Sequence, residues 1–424
     1  MSVFAKAKAS RSLTRKATLG GIAALGVTAL ILSGCASTEE PEGGNARSGE
    51  DLTLKIGTAL PVTGNLAFLG PPEIAGVTYA ASLINEADLG ITVEVVQGDS
   101  GDTDNKAYET EIPRLLGEDV SAIIGAASSG VSLQFIDQVV AADTILFSPA
   151  NTSDAFTSYD DNGLYFRTAP SDVLQGEVLG NLIAEDGHET LGLIVLNDSY
   201  GTGLEKYTTE AFEAAGGEVV VTASYNTGDT SFDAQINEVL AADPDAIALI
   251  TFEEVKTMLP SVLNGFDAEN LYFVDGNLAN FGDQFPAGAL EGAKGTFPGT
   301  NVDDLSDFTA ELNDYWVAEG NPELSEYTYG AESYDAVMLL ALGALAAGSV
   351  EGPEIAAALE EVSGGTGEGE KCTDFAECAQ IILDGGTADF DGISGPITFD
   401  EVGDPTEATI GIYQFGPDNT YAAY

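Results

Sequence analysis

From residue 52 the chain alternates between two kinds of apolar pattern. LTLKIGTAL (52–60), ITVEVVQGD (91–99), SAIIGAA (121–127) and TILFSPA (144–150) are short β-rich runs bounded by turn residues. Between them, PEIAGVTYAASLINEA from Pro72, KAYETEIPRLLGED and GVSLQFIDQVVAAD space their apolar residues as helices do, the second with a proline inside. Strands alternating with helical segments predict a parallel sheet covered by helices on both faces. The rhythm then restarts. ETLGLIVLND (189–198), EVVVTASYN, DAIALITFEE and NLYFVDG (270–276) read as strands, separated by the helical LEKYTTEAFEAAGG, DAQINEVLAAD and VKTMLPSVLNGF. Strand 52–60 corresponds to 190–197, and SAIIGAASSG to DAIALITFEE, so the fold class is α/β with two similar Rossmann-like lobes. Residues 326–347 form one long helical pattern, whose unbroken apolar stretch 336–347 is too short to span a bilayer and predicts a buried helix. The closing stretch from GPITFDEVGD to NTYAAY alternates around turn signals, as a β-hairpin on a sheet edge does.

The start of the chain has a different logic. Lys6, Lys8, Arg11, Arg15 and Lys16 precede an almost wholly apolar or small run, 17–34, which is the pattern of a secretion signal. The run is at the short end for a spanning helix. Leu32-Ser33-Gly34-Cys35 resembles the lipobox of bacterial lipoproteins, which implies cleavage before Cys35 and attachment of a diacylglycerol to its thiol. Two acyl chains suffice for stable anchoring. The expected layout is a signal peptide at 1–34 and a lipidated Cys35 with a flexible polar tether at 35–51. The protein is then exported and anchored to the outer face of the cell membrane.

Charge narrows the function. The formal net charge is −55, with 69 Asp+Glu against 14 Lys+Arg, five of which belong to the signal. Such a surface repels phosphate backbones and excludes nucleic-acid binding. Of the three cysteines, Cys35 is assigned to the anchor; Cys372 and Cys378 remain as a pair flanking CTDFAEC, and export favours their disulfide. A metal site is not expected, because there is no second cysteine pair and the single histidine, His188, is far away in sequence.

Catalytic signatures are missing: there is no G-x-S-x-G, H-E-x-x-H or G-x-x-x-x-G-K-[ST]. His188 lies in EDGHET, a surface turn. The acidic GDSGDTDN (98–105) does not have EF-hand spacing. Small-molecule binding fares better. GAASSGVS (125–132) sets Ser128 and Ser129 where a strand ends and a helix begins, and SPANTSD (148–154) places Thr152 after the next strand. Each alone is compatible with plain helix capping. Together, at carboxyl ends of strands in one sheet, they form a candidate anion cradle. Asp275, at the end of NLYFVDG in the second lobe, is placed to face that cradle and take an ammonium.

These strings, in order with ALPVTGNLAFLG, FRTAPSD, DSYGTG, VDGNLAN, YGAESYDA and SGPITFD, resemble the leucine/isoleucine/valine-binding family of solute receptors for ABC importers, over about residues 52–424. The resemblance implies the type I periplasmic binding protein fold and no enzymatic activity or cofactor. It implies a monomer that captures an amino acid, branched-chain or similar, between its lobes and delivers it to a membrane permease. It assigns the α-carboxylate to Ser129, Ala150 (through backbone) and Thr152, the ammonium to Asp275, and the closing aromatics to Phe68, Tyr200, Phe252 and Tyr329. It also implies discontinuous lobes, 52–168 plus 297–392 and 169–296 plus 393–424. The chain departs from the family in having Asp275 where a glutamate is familiar nearby, and in Phe68 and Phe252, which lack the hydroxyls of tyrosines often found there. Relatives in the family also bind amides, urea or aromatic acids, and a ligand sensor of the same fold is the alternative function.

Overall fold

A computed structural model describes residues 51–300 and 302–424. The signal pattern, Cys35 and the tether up to residue 50 lie outside the described residues. The first α/β run comprises β1 (Leu52–Ala59), α1 (Gly70–Ala87), β2 (Ile91–Val96), α2 (Tyr108–Leu116), β3 (Ala122–Gly125), α3 (Ser129–Val140), β4 (Ile145–Ser148) and β5 (Tyr165–Arg167). The second comprises α4 (Asp172–Glu185), β6 (Thr190–Leu196), α5 (Ser199–Ala214), β7 (Glu218–Tyr225), α6 (Asp233–Ala241), β8 (Ala246–Ile250), α7 (Val255–Val262), β9 (Leu271–Phe273) and β10 (Lys294–Pro298). The remainder is α8 (Ser306–Ala318), α9 (Gly330–Ala347), α10 (Gly352–Val362), β11 (Glu370–Cys372), α11 (Phe375–Leu383), β12 (Ala388–Gly392), β13 (Gly395–Pro396), β14 (Ile410–Phe415) and β15 (Tyr421–Ala423).

The two main sheets repeat one plan. The first has strand order β2-β1-β3-β4-β5, all parallel. In the second, β7-β6-β8-β9-β10 follow the same order and are also parallel, and the antiparallel hairpin β14–β15 extends the β10 edge. The correspondence read from sequence, β1 with β6 and β3 with β8, is therefore an equivalence of sheet positions. Strands buried on both faces need continuous apolar runs. Ala122–Gly125, Ile145–Ser148 and Ala246–Ile250 are buried throughout.

Each sheet has its own core. One cluster joins Leu54, Ile56, Ile124, Phe147 and the apolar length of α9; the other joins Leu193, Val195, Leu249, Phe273 and Tyr413. Helix α9 passes the length and hydropathy test for a membrane span, yet 83% of that window is buried against the rest of the fold. A helix apolar all round belongs in a core. It begins at Gly330 rather than at 326, because Tyr329 holds a left-handed φ of 59° that ends the helical path.

The chain passes between sheets three times: between β5 and α4, after β10, and between Phe399 and Ile410. Two of these passages fall a few residues beyond the expected positions. Phe297 belongs to the second core, because β10 continues to Pro298 in register with β14; Ile397 and Phe399 are still in the first core. Correspondingly, the alternating C-terminal stretch becomes a hairpin only from Ile410, and Gly395–Pro396 pair instead with β12. A buried arginine ties the first and third passages together. Arg167 at the end of β5 donates Nε and Nη2 to the Asp404 carboxylate at 2.6 and 2.8 Å, and Nη1 to Ser153 O at 2.8 Å. Away from the cleft, Cys372 and Cys378 are disulfide-bonded, with Cα atoms 5.4 Å apart. His188 is half-buried, its ring edge-on to Tyr272 rather than free in solvent.

Candidate functional site

The site lies where the carboxyl ends of the two sheets face each other, the position at which ligands of open α/β sheets bind. In the first lobe, Gly125 at the end of β3 has φ +126°, and a Cβ there would lie 2.1 Å from Ala59 O, so only glycine fits. The turn that follows feeds α3. Ser128 caps that helix, its Oγ accepting from Val131 N at 3.3 Å, and Ser129 is the first helical residue, 2% exposed. The β4 turn is braced on the same segment: Ser148 Oγ donates to Ala126 O at 2.7 Å, and Asn151 Nδ2 donates to Ala126 O and Ala127 O, both at 2.9 Å. Every group here is neutral.

The second lobe contributes a buried carboxylate. Asp275 follows β9 and is 4% exposed. Tyr200 Oη and Gln175 Nε2 donate to its Oδ1 at 2.7 and 3.1 Å, and Tyr329 Oη donates to Oδ2 at 2.8 Å. Burial pushes the Asp275 carboxyl above its usual range, and the donors from Tyr200, Tyr329 and Gln175 pull it back. Gly276 beside it is required by packing, since a Cβ would meet Phe252 Cδ1 at 2.7 Å. Phe252 in turn stacks on Tyr200 with centroids 5.2 Å apart. Tyr329 reaches Asp275 from the start of α9 with the left-handed φ already noted. For a bulky residue that backbone costs about 1–2 kcal/mol, which the surrounding packing must offset.

Between these walls is a cavity of about 10 Å³, lined by Leu66, Leu69, Ala127, Ser129, Ala150, Tyr200, Phe252, Asp275, Gly276 and Tyr329. That is room for about one water molecule. Contacts across the mouth hold the lobes together: Asn65 Nδ2 donates to Glu254 Oε1 at 3.0 Å, Ser153 Oγ to Ser199 O at 3.0 Å, and Tyr207 Oη to Asp154 Oδ2 at 2.6 Å.

Of the side chains singled out from sequence, Ser129, Ala150, Tyr200, Phe252, Asp275 and Tyr329 thus share one cavity. Thr152 does not line it. Its carbonyl accepts from Asp172 N at 2.6 Å, and its buried hydroxyl lies beside the Asp172 carboxyl without a full hydrogen bond. Phe68 is also outside the lining. It is half-buried at the cleft edge, with Lys256 Nζ 6.0 Å from its ring centroid, and Leu66 and Leu69 occupy that wall instead. The Ala150 N–H is not free, because it donates to Ser148 Oγ at 3.2 Å inside the closed β4 turn.

Gln175 was not legible from sequence. It lies on α4, one turn after the Ser171 cap, and bridges Asp275 to Thr296 of β10 at 3.2 Å. Asp172 was missed as well: burial, then the nearby Asp275 charge, hold its carboxyl well above the usual range. A polar side chain on the apolar face of α4 was the available signal for both. Among the described residues no group of three or more His, Cys, Asp or Glu could hold a metal ion.

A two-lobed α/β receptor with its cavity at facing strand ends is the architecture of solute-binding proteins, and comparison with known proteins agrees. The periplasmic binding protein family matches residues 53–379, and the chain belongs to that family. Leu/Ile/Val-binding protein homolog 1 of Brucella abortus is 28% identical over 386 residues, covering 86% of this chain and 92% of that protein. The chemotactic signal transduction system substrate-binding protein BasB of Halobacterium salinarum is 26% identical, covering 81% and 83%. Among solved structures, the leucine-binding protein LivK of Thermotoga maritima superposes with a TM-score of 0.69 at 22% identity, covering 88% of this chain and 97% of that one. A Rhodopseudomonas palustris solute-binding protein in complex with benzoate gives 0.68 at 17%, covering 88% and 96%. These likenesses show the type I periplasmic binding fold. The matched relatives are solute-binding proteins rather than enzymes.

Proposed function

We propose that this protein captures an aliphatic amino acid, branched-chain or similar, between its lobes and hands it to the permease of an ABC importer, held at the outer membrane face by a lipid on Cys35. The observation that carries the reading is the buried Asp275 in the same cavity as the hydroxyl-bearing amino terminus of α3. A zwitterion needs both. Its ammonium goes to Asp275, within reach of the Tyr200 and Tyr329 hydroxyls, and its carboxylate to Ser129 and the first turn of α3, a natural anion site. Leu66, Leu69, Ala127 and Phe252 then surround an aliphatic side chain. Thr152 and Phe68 join the site only if the segments carrying them shift as the lobes part, which a cavity of about 10 Å³ requires for any amino acid to enter. The moving bodies are the two α/β lobes, with the three passages between β5 and α4, after β10 and before β14 as hinges, and the protein works as a monomer. Ligand binding stabilises the closed form by contacts that the open form lacks.

A thermal-shift series tests this. Leucine, isoleucine and valine are compared with isovalerate, which lacks the ammonium, and isoamylamine, which lacks the carboxylate. A ligand at about 100 times its Kd contributes roughly 2.7 kcal/mol. The expected result is a shift with at least one amino acid and none with either fragment. Equal shifts with isovalerate or benzoate make this a carboxylate receptor instead. The name of the Halobacterium salinarum relative supports a second reading, in which the closed form signals to a chemotaxis partner. Ligand uptake that persists after deletion of the permease would favour neither; loss of uptake without loss of chemotaxis would favour import.

A further inference from the structure

A second cavity lies away from the amino-acid cleft, at the passages between the lobes. It has a volume of about 430 Å³, and its walls include residues of all three crossings: Thr168 and Pro170 from the first, Gly299 and Thr300 from the second and Thr406 to Thr409 from the third, joined by Ser394 to Ile397 at the edge of the first lobe. Its side chains include no Lys, Arg or His. The hydroxyl protons around it are already engaged. Thr168 donates to Glu332 O at 3.1 Å, Thr300 to Ser394 O at 2.7 Å, Thr409 to Gly299 O at 3.0 Å, and Ser394 to Asp335 Oδ2 at 2.6 Å. What these hydroxyls still offer is lone pairs, so among the described residues the hydroxyl-bearing part of the wall accepts hydrogen bonds and donates none into the cavity.

Glu332 completes the wall. It is 5% exposed, on the first turn of α9, and its carboxylate lies against Gly299, where a Cβ would come within 2.5 Å of Oε1. Its own backbone N–H donates to it, and among the described residues no side chain does. Behind it on α1, Glu73 is fully buried, and neither of its carboxyl oxygens has a partner. Unpartnered buried carboxyl groups beside a cavity are costly unless something supplies donors.

We propose that this cavity is a second ligand site, selective for a small organic cation with a primary ammonium group, which the Glu332 carboxylate holds and the surrounding hydroxyl lone pairs help to accept. The apolar part of the wall, from Pro170, Pro396, Ile397 and Ala408, takes the carbon chain. Two acidic groups act on Glu332, Glu73 from α1 and Asp335 one turn on along α9, and Glu407 lines the same cavity. Burial, then the Asp335 charge, raise the Glu332 carboxyl to about 8. The empty site therefore carries a proton at neutral pH, and the cation displaces it into solvent.

The test is calorimetric titration of the purified protein with n-butylammonium chloride at constant ionic strength. Tetramethylammonium (a cation without N–H donors), potassium and n-butanol are the controls. Saturable binding of butylammonium alone is expected. Affinity should rise roughly twentyfold between about pH 6.5 and about pH 8.5, as Glu332 ionises. Glu332→Gln should weaken it at least about tenfold. Ala408→Trp, at an exposed position, fills the cavity without disturbing a core and should also abolish it. Equal binding of tetramethylammonium or potassium, wild-type affinity in both variants, or displacement of butylammonium by excess leucine would each overturn the proposal. The last result would put the amine in the main cleft.

Discussion

The chain leaves β3 and β4 of the first lobe into neutral amides and hydroxyls, whereas it leaves β9 of the second into a carboxylate wrapped by tyrosines. The strand order beneath is the same in both. Sheet topology fixes where a ligand binds, and the loop after each strand fixes what it meets there. The two mouths also solve different problems. The backbone N–H groups at the start of a helix such as α3 can meet an anion without any charge being buried. Asp275 must be buried with its charge, so it carries donors from three other elements: Tyr200 on α5, Gln175 on α4 and Tyr329 before α9. The neutral mouth is built from two neighbouring turns of one sheet braced on each other, and the charged mouth from contacts that reach in from three further elements.

That contrast can be broken at several points. Arg167→Ala should have the largest effect, because it leaves the buried Asp404 carboxylate without its cation, with only the Thr157 hydroxyl among the described side chains still donating to it, and frees the carbonyls of the β4 turn. A loss of about 3–5 kcal/mol is expected in urea unfolding. Ser129→Ala removes one hydrogen bond to a ligand carboxylate, and calorimetry with leucine should show a loss of about 1.5–3 kcal/mol of binding. Tyr329→Phe removes one donor to Asp275 but leaves two side chains in place, so about 1 kcal/mol of leucine affinity should go.

A further effect concerns stability and pH rather than ligand binding. Glu332 titrates near 4.5 when unfolded and at about 8 when folded, so the folded state holds the proton more tightly. Its contribution is fully present below about pH 4.5 and is lost as pH rises through about 8. Glu332→Gln should therefore melt a few degrees above wild type at high pH and nearly with it at about pH 5.

Much of this architecture was legible in the sequence because it rests on local pattern. Apolar runs and turn residues define the strands of both lobes, and the repeat of that pattern predicts the repeat of strand order. Ser129 and Asp275 were legible for the same reason, since each sits at the end of a recognisable strand. What was not legible depends on distant partners. Gln175 lies in an ordinary helical pattern, and its bonds to Asp275 and Thr296 span 100 and 121 residues of chain. Phe68 reads as a closing aromatic, yet the turn before α1 directs Leu66 and Leu69 inward instead. The hairpin reads as starting near Gly395 because Ile397 and Phe399 alternate as an edge strand would, while their burial is in the first core and the hairpin forms only from Ile410.

The most direct test of the central claim is calorimetry of leucine and isovalerate against the wild-type protein and Asp275→Asn. An ammonium clamp predicts that leucine binding to the variant weakens at least about a hundredfold, consistent with the 2–5 kcal/mol expected when one member of a buried charge pair is removed, and that isovalerate, weak on the wild type, binds the variant no worse. Leucine binding that is unchanged by Asp275→Asn would contradict the account.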